Sequence, residues 1–225
     1  MRMCVTTEAV FLAPPSGEIF LDGGIHVWRF FLDSPDECLL ARDEALRAAR
    51  FLSADARAAF VAGRSGVRRA ASLYSGITAG ELLIETGANG KPYFSNAGIH
   101  FNLSHTGNAV VAAFSGSAVG IDIESRGRCR DFVGIAHRFF DPSEADAISR
   151  SHDEDQFLRL WTGKEAMLKL SGEGISGGLA GASPGEEGSG SLGGKNVRTA
   201  GFFFENIIGA VASFQPFEVK GWFQF

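Results

Sequence analysis

Two stretches with apolar residues at helical spacing, each followed by short strand-like segments, set the limits on what this chain can fold into. The first helical stretch, residues 41–73, is rich in Ala, Leu and Arg and breaks near Leu52-Ser53-Ala54-Asp55. Apolar positions three and four apart put one face of such a segment against a core. Strand-like segments follow at 93–94, 99–103, 110–114 and 119–123, separated by Gly, Asn and Ser turns. A second helical region covers 132–147. Another covers 152–170, opened by Ser151-His152-Asp153-Glu154 as a capping box and stopped at Gly172. Strands are expected again at 207–214 and 219–225, and an early one at 25–32. Helices then strands, twice in order, predict an α+β chain of two similar halves, residues 1–119 and 120–225, with the seam near Val119-Gly120. Residues 171–194, dominated by Gly, Ser and Ala, read as a loop.

With 45% hydrophobic and 21% charged residues over 225 positions, the chain has enough apolar matter for one large core or two small ones, which argues against disorder along its length. The formal net charge of -5 offers no general attraction to nucleic acid or to an anionic membrane, so neither is an expected partner. Any anionic ligand has to be bound locally. Cys4, Cys38 and Cys129 have neither the number nor the spacing of a disulfide framework or a zinc site, which suits a reducing compartment. Residues 1–20 are interrupted by Glu8, Pro14, Pro15 and Glu18, unlike a signal peptide or membrane span, and the expected location is cytoplasmic.

In Gly120-Ile121-Asp122-Ile123-Glu124, apolar and acidic residues alternate. On a strand, Asp122 and Glu124 then project from one face while Ile121 and Ile123 enter the core. Paired carboxylates suit a hard divalent cation, although any half-exposed strand shows the same alternation. In Trp161-Thr162-Gly163-Lys164-Glu165-Ala166-Met167-Leu168-Lys169, Glu165 and Lys169 stand four apart on one helical face, with Trp161 one turn earlier. They form either a surface ion pair or a carboxylate that completes a metal site and serves acid–base chemistry. Phe101-Asn102-Leu103-Ser104-His105-Thr106-Gly107 lacks the Gly-x-Ser-x-Gly elbow of a hydrolase, and a polar strand end that meets phosphate fits it better. Gly90-Lys91-Pro92 places one cation at a turn before the strands.

Taken together and in order, GKPYF, FNLSH, GIDIE and FLRLWTGKEAMLK resemble the larger, single-chain surfactin-synthetase type of 4'-phosphopantetheinyl transferase. The resemblance covers residues 51–175 well and the two ends loosely. It implies a pseudo-dimer of two α+β halves with coenzyme A held at their interface, acting as a monomer. It also implies that Asp122, Glu124 and Glu165 hold magnesium, or manganese, against the coenzyme A pyrophosphate, and that Lys91, Ser104 and His105 contact phosphates. Glu165 is then the base for the serine of an acyl or peptidyl carrier protein. Lys169 stabilises or protonates the departing 3',5'-ADP, and Lys164 either meets a phosphate or forms a salt bridge within the helix. Where the family carries a basic cluster, this chain has Ala58-Ala59-Phe60, which leaves Arg57 as the first candidate for the adenosine-side phosphate. That departure and the Gly-rich segment motivate an alternative, a relative that binds coenzyme A or a carrier without turnover. A serine hydrolase using Ser104 and His105 is the third reading.

Overall fold

The computed structural model describes residues 6–17, 19–33, 35–172, 179–184 and 188–225. The chain divides into two compact units, each assembled from two stretches: Val10–Ala118 with Phe217–Phe225, and Met1–Ala9 with Val119–Pro216.

The unit around Val10–Ala118 is built on a four-stranded sheet. Its order is β12 (Val219–Gln224), β2 (Ile25–Phe30), β6 (Ala109–Ser115), β5 (His100–Thr106), with β12 parallel to β2 and the other pairs antiparallel. Against it lies α2 (Ala54–Ser75), preceded by α1 (Arg42–Ala48). Ser53 caps α2 by accepting from the Ala56 amide at 3.3 Å, which explains why the sequence breaks there. The apolar stripe of α2, with Ala59, Ala62, Val67, Ala70 and Ala71, packs on Trp28, Phe30, Val110, Ala112 and Phe114. Small residues on the helix leave room for the aromatics of the sheet. A small antiparallel pair, β3 (Ile84–Thr86) and β4 (Pro92–Phe94), carries the Lys91 turn.

In the other unit the sheet order is β7 (Val119–Ser125), β11 (Ile207–Ser213), β10 (Lys195–Phe204), β9 (Ser189–Leu192), β8 (Ala182–Ser183), and β1 (Thr6–Glu8) joins β10 in parallel. α5 (Glu154–Ser171) packs on β7 and β11. Phe157, Leu158, Leu160 and Ile208 form a core with Ala136, Phe140, Ala145 and Ile148, contributed by the segments before α5. No helix among the described residues is long and apolar enough to cross a membrane.

Several expectations are corrected. The helical region expected over 132–147 consists of two helices, α3 (Phe132–Phe139) and α4 (Pro142–Ser151), and extends to 151. Asp141 accepts from the Ser143 amide at 2.9 Å, Glu144 reaches back to the Asp141 amide at 3.2 Å, and Pro142 sits at the first helical position, so a new helix start is written into Asp-Pro-Ser-Glu. The cap of α5 is Asp153, accepting from the Asp155 and Gln156 amides, while Ser151 closes α4. Gly172 does end α5, in the left-handed conformation at φ 75°. Of the segment expected as loop, 173–178 and 185–187 lie outside the described residues, whereas β8 and β9 are strands of the sheet. β1, β3 and the ten-residue β10 are strands where none was expected.

Candidate active site

β7 and α5 bring four predicted residues into one electrostatic cluster. On β7, Ile121 and Ile123 are buried in the core, and Asp122 is 5% exposed beside the partly exposed Glu124. On α5, Glu165 and Lys169 share a face one turn apart, and the Lys169 ammonium donates to Asp122 Oδ1 at 2.6 Å. Gly120 sets this closeness. A Cβ added there would stand 2.0 Å from the Ala166 carbonyl oxygen and 2.6 Å from the Leu170 amide nitrogen, so the helix backbone rests directly on the strand. Burial pushes the Glu165 carboxyl up from its ordinary pKa, the charges of Asp122 and Glu124 add to that rise, and Lys169 opposes it. Glu165 Oε1 is buried with no hydrogen-bond partner.

Those observations test whether a divalent cation suits the place. Among the described residues no three His, Cys, Asp or Glu side chains form a ready-made metal site, and Lys169 covers one oxygen of Asp122. The donor chemistry fits nonetheless: the donors are oxygen-only carboxylates that repel one another, and one buried oxygen is unmet. A hard cation among them answers both the repulsion and the unmet oxygen. Beside Glu124 lies a cavity of about 240 Å³ whose wall includes Arg128, Cys129, Phe157, Leu158 and Trp161.

Lys164 is a correction. Expected at a phosphate or in a salt bridge within its own helix, it points into its own unit with its side chain 1% exposed, paired with Glu144 Oε2 of α4 at 2.9 Å. It also donates to the carbonyls of Leu179 (3.2 Å) and Ala182, with its ammonium 5.2 Å from the centre of the Phe140 ring. Three acceptors use all three N–H groups.

In the other unit, Ser104 and His105 line a cavity of about 280 Å³ together with Arg47, Phe60 and Arg64. Ser104 is buried and His105 exposed on successive positions of β5, so they project to opposite faces, which does not suit a Ser–His hydrolase pair. Arg57, the expected basic contact, is not in this wall. It pairs with Glu37 at 2.8 Å, with the two side chains 41% and 53% exposed. The cavity's arginines are ones the sequence did not single out. Arg64 lies 3.4 Å from Glu44, which also takes Arg68 at 2.8 Å, and Arg64 Nη1 is buried with no hydrogen-bond partner. A buried, unmet guanidinium N–H costs about 1–3 kcal/mol, which an anion in the cavity can relieve. Seven arginines on one helical stretch look alike in sequence, and it is the packing of α1 with α2 that brings two of them to this wall.

Lys91, before Pro92 of that wall, is half-buried, and burial lowers its pKa to about 8. The unfolded value is higher, so between about 8 and 10.5 the unfolded chain holds a proton the folded one lacks, and stability rises with pH there. Ligand binding has the opposite sense: if Lys91 meets a phosphate, affinity falls as pH rises through about 8, and binding at pH ~8.5 draws a proton back. Calorimetry of coenzyme A binding in buffers of different ionisation enthalpy should show uptake approaching one proton at that pH, absent in Lys91→Arg. Equal uptake in both proteins would remove Lys91 from the phosphate.

Comparison with known proteins bears on the same elements. A model described as "4'-phosphopantetheinyl transferase superfamily" matches residues 118–205, and one described as "4'-phosphopantetheinyl transferase, N-terminal" matches residues 35–117. The chain is 35% identical over 183 residues to the 4'-phosphopantetheinyl transferase HetI of a Nostoc species, an alignment covering 75% of this chain and 77% of HetI. It is 37% identical over 100 residues to 4'-phosphopantetheinyl transferase Sfp of Bacillus subtilis, covering 43% and 44% of the two chains. With psf-1 of Bacillus pumilus, the figure is 43% over 104 residues, or 44% of each chain. Since models of one family match the chain on both sides of residue 118, and HetI aligns with three quarters of it, the chain belongs to the 4'-phosphopantetheinyl transferase superfamily.

Proposed function

We propose that this chain moves the 4'-phosphopantetheine arm of coenzyme A onto a serine hydroxyl of an acyl or peptidyl carrier protein, and that Asp122, Glu124 and Glu165 hold a magnesium or manganese ion for the reaction. The observation that carries the reading is Glu165, a half-buried carboxylate with one buried, unmet oxygen, facing the charges of Asp122 and Glu124. The names of HetI and Sfp support the activity. When bound, the cation supplies charge neutralisation at the pyrophosphate.

The chain's own residues bind and move protons. Glu165, directly or through a water, takes the proton of the carrier serine; the serine oxygen forms its bond to the phosphorus that bears the pantetheine arm, and the bond from that phosphorus to the bridging oxygen of 3',5'-ADP breaks. Lys169, one turn along α5, leaves Asp122 to stabilise or protonate the departing phosphate. Arg47, Arg64, Ser104, His105 and Lys91 bind the phosphates of coenzyme A. The half-apolar cavity beside Glu124 is suited to the uncharged arm.

The test is the mass of apo-carrier proteins after incubation with coenzyme A and magnesium. A gain of one phosphopantetheine is expected, lost with EDTA and reduced about 100-fold or more in rate by Glu165→Gln. Binding of coenzyme A without any gain on a panel of carriers would leave a binding protein in place of a transferase.

A further inference from the structure

The carboxylates of β7 and α5 face one another only while strand and helix keep one register, and two contacts at opposite ends of the pair set it. One is Gly120 against Ala166 and Leu170. The other lies just past β7, where Arg126 forks onto Asp155 in the first turn of α5, Nε to Oδ1 at 2.7 Å and Nη2 to Oδ2 at 3.0 Å. The same guanidinium donates to the Glu205 carbonyl at 3.3 Å, and the Arg126 amide to the Asn206 carbonyl at 2.9 Å, which ties in the turn between β10 and β11. The next amide, Gly127, donates to both oxygens of Glu154 at 2.9 and 3.1 Å.

Strand and helix therefore run in opposite directions and are pinned twice. From Gly120 to Arg126 the strand covers roughly 20 Å, and from Ala166 back to Asp155 the helix covers roughly 16 Å. Apolar packing on β7 and β11 holds α5 against the sheet but carries little directional preference along and about the helix axis. The second pin, far from the first, adds a directional contact that fixes register and rotation more closely, and Glu124 and Glu165 lie between the two. A fork resists rotation in a way a single ammonium contact does not. Both side chains of the pair are about one-third exposed, 31% and 32%, where such pairs add little to stability, so the fork's effect belongs to geometry.

We propose that Arg126 and Asp155, with Glu154 on the Gly127 amide, form a positioning device that holds the carboxylates of β7 and α5 in register for cation binding. It rests on the reading that these carboxylates take a divalent cation, and the test separates the two.

Manganese binding to the full chain, without coenzyme A or carrier, is measured by electron paramagnetic resonance for the wild type, Glu165→Gln, Arg126→Gln, Asp155→Asn and the Arg126→Gln/Asp155→Asn double variant. Wild type is expected to bind and Glu165→Gln to lose most affinity. Arg126→Gln and Asp155→Asn should each weaken binding about 10- to 100-fold, the double variant no more than either alone, with melting temperatures within a few degrees of wild type. Transferase activity of Arg126→Gln should return at high magnesium with the KM for coenzyme A unchanged, a rescue that a misfolded variant does not show. Wild-type manganese affinity in Arg126→Gln, or additive losses in the double variant, overturns the positioning role while leaving the cation site standing. No manganese binding by wild type, or equal binding by Glu165→Gln, overturns the cation reading and the proposal with it.

Discussion

Gly120→Ala is expected to cost the second unit at least the upper end of the usual 1–3 kcal/mol for overpacking, and to uncouple its carboxylates. The usual figure applies where side chains can repack. Here the new methyl meets backbone, the Ala166 carbonyl oxygen at 2.0 Å and the Leu170 amide nitrogen at 2.6 Å, so no rotamer relieves the clash and α5 has to lift from β7. Lifting it moves Glu165 and Lys169 away from Asp122 and exposes apolar surface shared by α5 and β11. Urea unfolding should show a lowered midpoint, and manganese affinity should fall even at temperatures where the variant stays folded. A variant with wild-type midpoint and affinity would mean that β7 bends to take the methyl, and that the helix position does not depend on this glycine.

Lys164→Met is expected to destabilise the protein by about 3–5 kcal/mol while leaving coenzyme A affinity of the folded fraction near wild type. Methionine keeps the length of the stem but leaves Glu144, whose side chain is 12% exposed, without its cation, and the Leu179 and Ala182 carbonyls without their donor. Removing one partner of a buried pair strands the other, and that is where the cost arises. Glu144→Gln should recover part of the loss in the Lys164→Met background, because it removes the stranded charge. A phosphate contact would give the reverse pattern, with stability kept and coenzyme A affinity lost. Chemical denaturation and calorimetric titration on the same samples separate the two.

Much of this site is legible in the sequence because its local periods are simple. Alternation in Gly120-Ile121-Asp122-Ile123-Glu124 is enough to place both acidic residues on one face of a strand, and the four-residue spacing of Trp161, Glu165 and Lys169 places them on one face of a helix. Lys164 had a signal that adjacency to Glu165 obscures: it shares the α5 stripe of Leu160, Met167 and Leu168, all buried, and a lysine on that stripe goes inward. Other features carry little local signal. β10 draws its stability from β11 on one side and β1 and β9 on the other, and its start follows a Gly-rich stretch that reads as loop. Arg47 and Arg64 differ from their neighbours only through the packing of α1 and α2, a tertiary fact. The break between α3 and α4, by contrast, was available in Asp141-Pro142-Ser143-Glu144, a helix start in the middle of an apolar periodic run.

The placement of β12 has a consequence for how the chain can be made. It follows every other strand along the chain, yet it lies in parallel against β2, which precedes all of them but β1. The sheet of the unit around Val10–Ala118 thus gains its outer strand only after residues 119–216 have been made, and β1 waits for β10 until residues 195–204 follow it. Neither unit can be finished while the other is still unmade, so a cut after Ala118 yields two incomplete sheets in place of two domains.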